Sequence, residues 1–154
     1  MITIERIQEL IDEGITSDQF IVELRIDTGN RIYVELDDLK RPTSISDCVA
    51  LSRQIEHNLD RETEDFSLEV TSPGLDKPFK VYQQYVKNVG RPVKVRKVTD
   101  EVIKGILKEV ADDSVKLETK EKKKIEGRKA KAWFTEMISI PMDEIKETYV
   151  ELVF

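Results

Sequence analysis

His57 and Cys48 are the residues of this chain best equipped for chemistry, and each is the only one of its kind. A lone histidine cannot supply a His-rich metal site, and a Ser-His-Asp triad would leave no spare base. Cys48 and His57 lie nine positions apart on one expected helix. Nine positions are two and a half turns, roughly 13 Å along the axis, so the two cannot meet as nucleophile and base. The glycines Gly14, Gly29, Gly74, Gly90, Gly105 and Gly127 are scattered and form no phosphate-cradling loop. The carboxylate pairs Asp37-Asp38 and Asp112-Asp113 fall in expected turns, where Asp is favoured for backbone reasons. These residues define no catalytic constellation, no metal site and no cofactor site. The chain reads as a binding protein and not as an enzyme.

Binding chemistry is concentrated in Lys120–Lys131, which holds seven cationic residues against two acidic ones. Lys122, Lys123, Lys124, Arg128, Lys129 and Lys131 suit phosphate contacts that carry no sequence information. They are the candidate RNA-contacting residues; the alternative is a solvated hairpin tip. Trp133 and Phe134 follow directly and could stack on an unpaired base, although Trp133 reads first as a core residue by type.

The elements that must position these residues fall into two groups. Ile4, Ile7, Leu10 and Ile11 repeat at helical spacing, with Thr3 as N-cap and Gly14 as stop, and predict a helix over Ile4–Glu13. Phe20–Ile26 and Ile32–Leu36 alternate as half-buried strands with core faces Phe20, Val22, Leu24, Ile26 and Ile32, Val34, Leu36. Keeping both sets on one face requires Asp27 opposite Arg31 around a Thr28-Gly29-Asn30 loop, or a compensating bulge. Ser44 or Ser46 caps a second helix with Cys48, Leu51, Ile55 and Leu59 along one stripe. A third strand, Phe66–Thr71, completes an α-β-β-α-β unit. A short helix over Val81–Asn88 follows. The remainder reads as five short strands, at Val93–Val95, Val102–Val110, Val115–Leu117, Trp133–Ile140 and Tyr149–Val153, which suit a small closed barrel.

Charge divides the chain in the same place. Up to Ser72 there are 17 acidic and 7 basic residues, hence −10; from Pro73 onward there are 14 acidic and 18 basic, hence +4. An acidic half suits a basic protein surface and repels phosphate, whereas a basic half can approach RNA. No apolar run is long enough to span a membrane, the N-terminus lacks the regions of a signal peptide, and one cysteine cannot form an internal disulfide; these features predict a reducing cytoplasm.

Between the halves lies Ser72-Pro73-Gly74-Leu75-Asp76-Lys77-Pro78. Pro73 and Gly74 predict a type II turn with Gly74 at positive φ, and Pro78 blocks any ladder beyond it. The local pattern is that of a rigid connector. The run Leu68–Pro78 resembles the signature of the RimP family of bacterial ribosome maturation factors. Asp47-Cys48-Val49-Ala50-Leu51-Ser52-Arg53 is similar to the start of that family's second helix, and Val89-Gly90-Arg91-Pro92-Val93-Lys94-Val95 to the entry of its second domain. Pattern and charge together predict an α+β protein with an acidic α/β domain at residues 1–76, a connector at 77–82 and a small β-barrel at 83–154, and the resemblance independently implies that the barrel is Sm-like or SH3-like. The resemblance also implies a factor that binds the small ribosomal subunit precursor, through ribosomal protein and rRNA, without turnover chemistry; an asymmetric two-domain chain fits a monomer better than a ring. A free-standing Sm-like RNA-binding protein is the alternative.

Overall fold

A computed structural model describes residues 1–124 and 131–151, with the backbone alone at 121–124 and 131–133. The chain divides into two compact units, Met1–Gly74 and Leu75–Phe154.

The first unit begins with α1 (Ile4–Gly14), whose N-cap Thr3 accepts a hydrogen bond from the Arg6 backbone N–H at 3.1 Å. Ile7, Leu10 and Ile11 form its buried stripe. β1 (Gln19–Asp27) and β2 (Arg31–Asp38) pair antiparallel with Asp27 opposite Arg31, so Thr28-Gly29-Asn30 is a three-residue loop. Gly29 and Asn30 both take positive φ there, 87° and 55°. A bulge also interrupts the ladder between Ile21 and Glu23. The bulge corrects the expected core face of β1. Ile21, Leu24 and Ile26 pack beneath the helices, while Phe20 lies opposite Asp37 and, like Val22, is buried outside that cluster. The extra residue shifts the alternation by one, which reverses the facing of everything before it.

Helix α2 (Ile45–Glu56) starts with a capping box in which Ser44 Oγ accepts from the Asp47 N–H and Asp47 accepts from the Ser44 N–H. Arg41 grips the same carboxylate through both terminal nitrogens, at 3.0 and 2.9 Å. Asp37 and Asp38 end β2 and are buried, which corrects their placement in an open turn. They accept the N–H groups of Asp38, Lys40 and Arg41 and the Thr43 hydroxyl, tying down the chain that enters α2. β3 (Ser67–Thr71) then pairs parallel with β2, giving the sheet order β1-β2-β3. The core joins Ile7, Leu10 and Ile11 of α1, Ile32, Val34 and Leu36 of β2, Leu51 and Ile55 of α2, and Phe66. Each such side chain removed from water contributes about 1.5–3 kcal/mol before entropy is counted.

The second unit contains α3 (Tyr82–Lys87), β4 (Pro92–Lys97), β5 (Val102–Val110), β6 (Ser114–Lys124), β7 (Lys131–Pro141) and β8 (Ile145–Val150). β4 to β7 form an antiparallel meander and β8 returns to the free side of β4, so the order is β7-β6-β5-β4-β8. Val93, Val95, Leu107, Val115, Leu117 and Ile140 are its buried centre. A Cβ at Gly105 would stand 2.7 Å from the carbonyl oxygen of Glu118, so the glycine permits β5 and β6 to close on each other.

Two expectations are corrected here. The barrel is not closed: among the described residues β7 and β8 are the two edges of an open sheet. A 3-10 turn, Met142–Glu144, joins them and carries the chain onward rather than reversing it as a hairpin turn would. The last described strand is Ile145–Val150, which begins four residues before the expected Tyr149; Leu152 and Val153 lie outside the described residues. Its inward residue is Thr148, whose hydroxyl hides the strand from an apolar pattern.

Residues 1–74 and 75–154, expressed separately, are expected each to give a dispersed amide NMR spectrum; collapsed spectra from both would show that neither core suffices alone. The α2 cap predicts a pH effect. The Arg41 guanidinium, then the Ser44 N–H and hydroxyl, hold the Asp47 carboxyl at about 2, below the ordinary value. A lowered folded value means that stability is present above the unfolded value of about 3.9 and is lost as pH falls toward 2. Asp47→Asn should lower the urea midpoint at pH 7, and its difference from the parent should vanish by about pH 2.

Candidate functional site

The signature stretch leaves β3 at Thr71 and reaches a turn at Leu75-Asp76. Gly29 and Gly90 are the glycines at positive φ in the described chain, so the type II turn expected at Pro73-Gly74 does not form. The ladder ends at Thr71, and Pro73 offers no N–H with which to extend it. Ser72, Gly74, Leu75, Asp76 and Lys77 are exposed, whereas Pro73 and Pro78 are half-buried. Leu75, at 66% exposure, is an apolar side chain held in solvent by a loop.

The exit from this stretch is fastened to the second unit. The Phe79 N–H donates to the Thr148 carbonyl at 2.8 Å, and the Phe79 ring meets Tyr85 edge-on with centroids 4.9 Å apart. Tyr85 Oη and Thr148 Oγ1 share a hydrogen bond of 2.8 Å. Burial pushes the Tyr85 phenol up, and the bond to Thr148 opposes that shift. Gln84 is buried behind them, where its side-chain oxygen accepts the Lys80 and Val81 N–H groups. Its backbone carbonyl accepts from the Asn88 side-chain amide. Sequence reasoning missed this clasp, because Thr148 carries no apolar signal.

Where it is described, the lysine segment is strand and not loop. Lys122, Lys123 and Lys124 belong to β6 and Lys131 to β7, in a continuous register with Lys122 opposite Trp133 and Lys124 opposite Lys131. Arg128 and Lys129 lie outside the described residues, as does the side chain of Trp133. β5 accompanies β6 only as far as Glu118. From Thr119 to Lys124 the chain is therefore a two-stranded ribbon, paired with Lys131–Glu136 alone. Residues 119–136 carry seven basic and three acidic residues, and the rest of the second half carries 11 of each. The entire excess of +4 thus resides in residues 119–136. Phe134, on β7, is 45% exposed.

His57 caps the C-terminus of α2 on the surface, and Cys48 sits half-buried within the helix. Among the described residues no group of three or more His, Cys, Asp or Glu side chains could hold a metal ion. No helix of the described chain is long and apolar enough to cross a membrane. Cys48 lines a groove of about 410 Å³ between α2 and β3, together with Ile45, Val49, Leu68 and Val70. This groove is the second feature that sequence reasoning passed over. Its signal was a second apolar ridge on α2, Ile45 and Val49 at four-residue spacing, beside the Leu51 and Ile55 stripe.

These features define a two-unit protein that presents surfaces: a helix–sheet unit with an apolar groove, joined to an antiparallel unit with a cationic ribbon. Residues 7–76 match the family model described as the RimP N-terminal domain. The chain is 36% identical over 154 residues to the ribosome maturation factor RimP of Flavobacterium psychrophilum, covering 97% of each. It is 36% identical over 151 residues to that of Christiangramia forsetii, covering 98% of this chain and 97% of the relative. It is 39% identical over 148 residues to that of Porphyromonas gingivalis, covering 96% and 97%. The chain belongs to the RimP family of ribosome maturation factors.

Burial first, and then the Asp47 charge, push the Cys48 thiol up, so little thiolate forms at neutral pH. Cys48 is expected to react slowly with a thiol reagent at pH 7 and quickly after unfolding in urea; rapid reaction of the native chain would reveal an activated thiolate.

Proposed function

We propose that this chain is a non-enzymatic assembly factor in the cytoplasm that binds the immature small ribosomal subunit, with the acidic first unit against a basic ribosomal protein and the second unit against rRNA. The observation that carries this reading is the placement of charge. The first unit holds −10, and the second unit's whole positive excess lies in residues 119–136. Relatives at 36% and 39% identity over nearly the whole chain are named ribosome maturation factors. A factor of this kind works by holding one state of a particle, with an effect no larger than its difference in affinity between states. Lys122, Lys123, Lys124, Arg128, Lys129 and Lys131 are assigned the phosphate contacts. Ser72, Pro73, Gly74, Leu75, Asp76, Lys77 and Pro78 are assigned the link between the two binding units.

A free-standing RNA-binding protein that oligomerises through its sheet edges is the second reading, and the open edges at β7 and β8 favour it. Gel filtration separates the two, because the first reading requires a monomer. The decisive measurement is a salt titration of binding to small-subunit precursors. Replacing Lys122, Lys124 and Lys131 by Glu should weaken binding and lower the log–log salt slope by about 0.7 to 0.9 for each phosphate left without its cation. An unchanged slope would make the ribbon a solvated hairpin and leave the contacts to protein.

A further inference from the structure

The sheet of the first unit has an open side. In the order β1-β2-β3, β3 has β2 on one flank and no strand on the other among the described residues. Its geometry fixes which peptide groups are available there. The Ser67 N–H donates to the Asn30 carbonyl at 3.1 Å, so Ser67 points its peptide groups toward β2. In a parallel ladder alternate residues point the same way, so Glu69 and Thr71 also turn inward. Leu68 and Val70 then aim their N–H and C=O groups outward along the free edge.

Both flanks of that edge are chemically distinct. On the helix side lies the groove of about 410 Å³, floored by Leu68 and Val70 and walled by Ile45, Cys48 and Val49. Ile45 is 85% and Val49 41% exposed, a costly display for side chains with nothing to bury them. On the opposite face Glu69 stands exposed across from Tyr33, whose phenol is pushed up by burial and by the charges of Glu35, Glu69 and Glu23. We propose that the free edge of β3 accepts an extended segment of a basic protein as a fourth strand, with its apolar residues in the α2–β3 groove and its alternating cationic residues over Glu69. Side chains of a strand alternate between faces, so an apolar/basic alternation matches both flanks at once. The negative unit charge of −10 selects a basic segment over nucleic acid and disfavours a second copy of the same unit. The inference rests on the reading that the acidic unit meets a ribosomal protein, and names how.

The test uses the full chain and a synthetic peptide, acetyl-Gly-Lys-Val-Lys-Val-Arg-Val-Gly-amide. Binding should slow hydrogen exchange of the Leu68 and Val70 amides by about tenfold or more. Of two peptides N-methylated on alternate residues, the one blocked on its pairing edge should lose affinity and the other should keep it. Val49→Lys and Glu69→Lys, both at exposed positions, should each weaken binding while leaving the far-ultraviolet circular dichroism unchanged. Equal binding of both N-methylated peptides would overturn strand addition, as would unchanged exchange at Leu68 and Val70. Protection that rises with protein concentration alone would assign the edge to a second copy, and protection by an RNA oligomer would assign it to nucleic acid. Either result ends the proposal. If Val49→Lys binds small-subunit precursors as the parent does, only the edge site fails. If the parent chain fails to bind them, the underlying reading fails.

Discussion

The first unit depends on the register of one hairpin. With Asp27 opposite Arg31, Ile26 faces Ile32 and Leu24 faces Val34, so both strands turn their branched side chains toward α1 and α2. Side chains alternate with a period of two, and a slip of one residue would carry Ile32, Val34 and Leu36 to the other face. Both helices would then have nothing to cover. A three-residue loop with two positive-φ residues holds this register, because Gly29 has no Cβ to resist and Asn tolerates the left-handed region. Everything downstream inherits it, including the parallel seat of β3 beside β2.

The second unit is fixed by a smaller set of polar contacts. Phe79, Tyr85 and Thr148 join the incoming chain, α3 and β8 by one ring contact and two hydrogen bonds. Gln84 satisfies the peptide groups at the start of α3, where Val81, the N-cap, has no side chain able to do so. A buried polar cluster of this kind is specific because every missing partner would leave a donor or acceptor out of water.

The elements driven by apolar periodicity were legible in the sequence. The α1 stripe, the Asp27–Arg31 pairing and the extent of β5 follow from side-chain type and spacing alone, and the α2 cap is the first of its two candidates, Ser44 and Ser46. What escaped was governed by something other than periodicity. The alternation requires a bulge only in place of the three-residue loop; its presence at Ile21–Glu23 as well as that loop depends on fitting a nine-residue strand to an eight-residue one. β8 is built on Thr148, a polar residue buried by its partner and not by its own hydropathy. The turn in the signature moved from Pro73-Gly74 to Leu75-Asp76 because a proline-glycine pair allows a turn without compelling one. The lysine segment gave no sign of being strand, since lysine is a poor strand former by composition. Cross-strand pairing with the Ala132–Thr135 stretch overrides that preference.

The two-stranded ribbon at Thr119–Lys124 has an electrostatic consequence. The carboxylates Asp112 and Asp113 stand at the opposite end of β6, and ten strand residues at about 3.3 Å each separate them from Lys124 by about 30 Å. At physiological ionic strength the screening length is about 8 Å, so the fields of the two ends are nearly independent. An approaching polyanion therefore meets the charge of the ribbon's end and not the sum over the unit. The net charge of −6 and the isoelectric point therefore say little about the field at either end of β6.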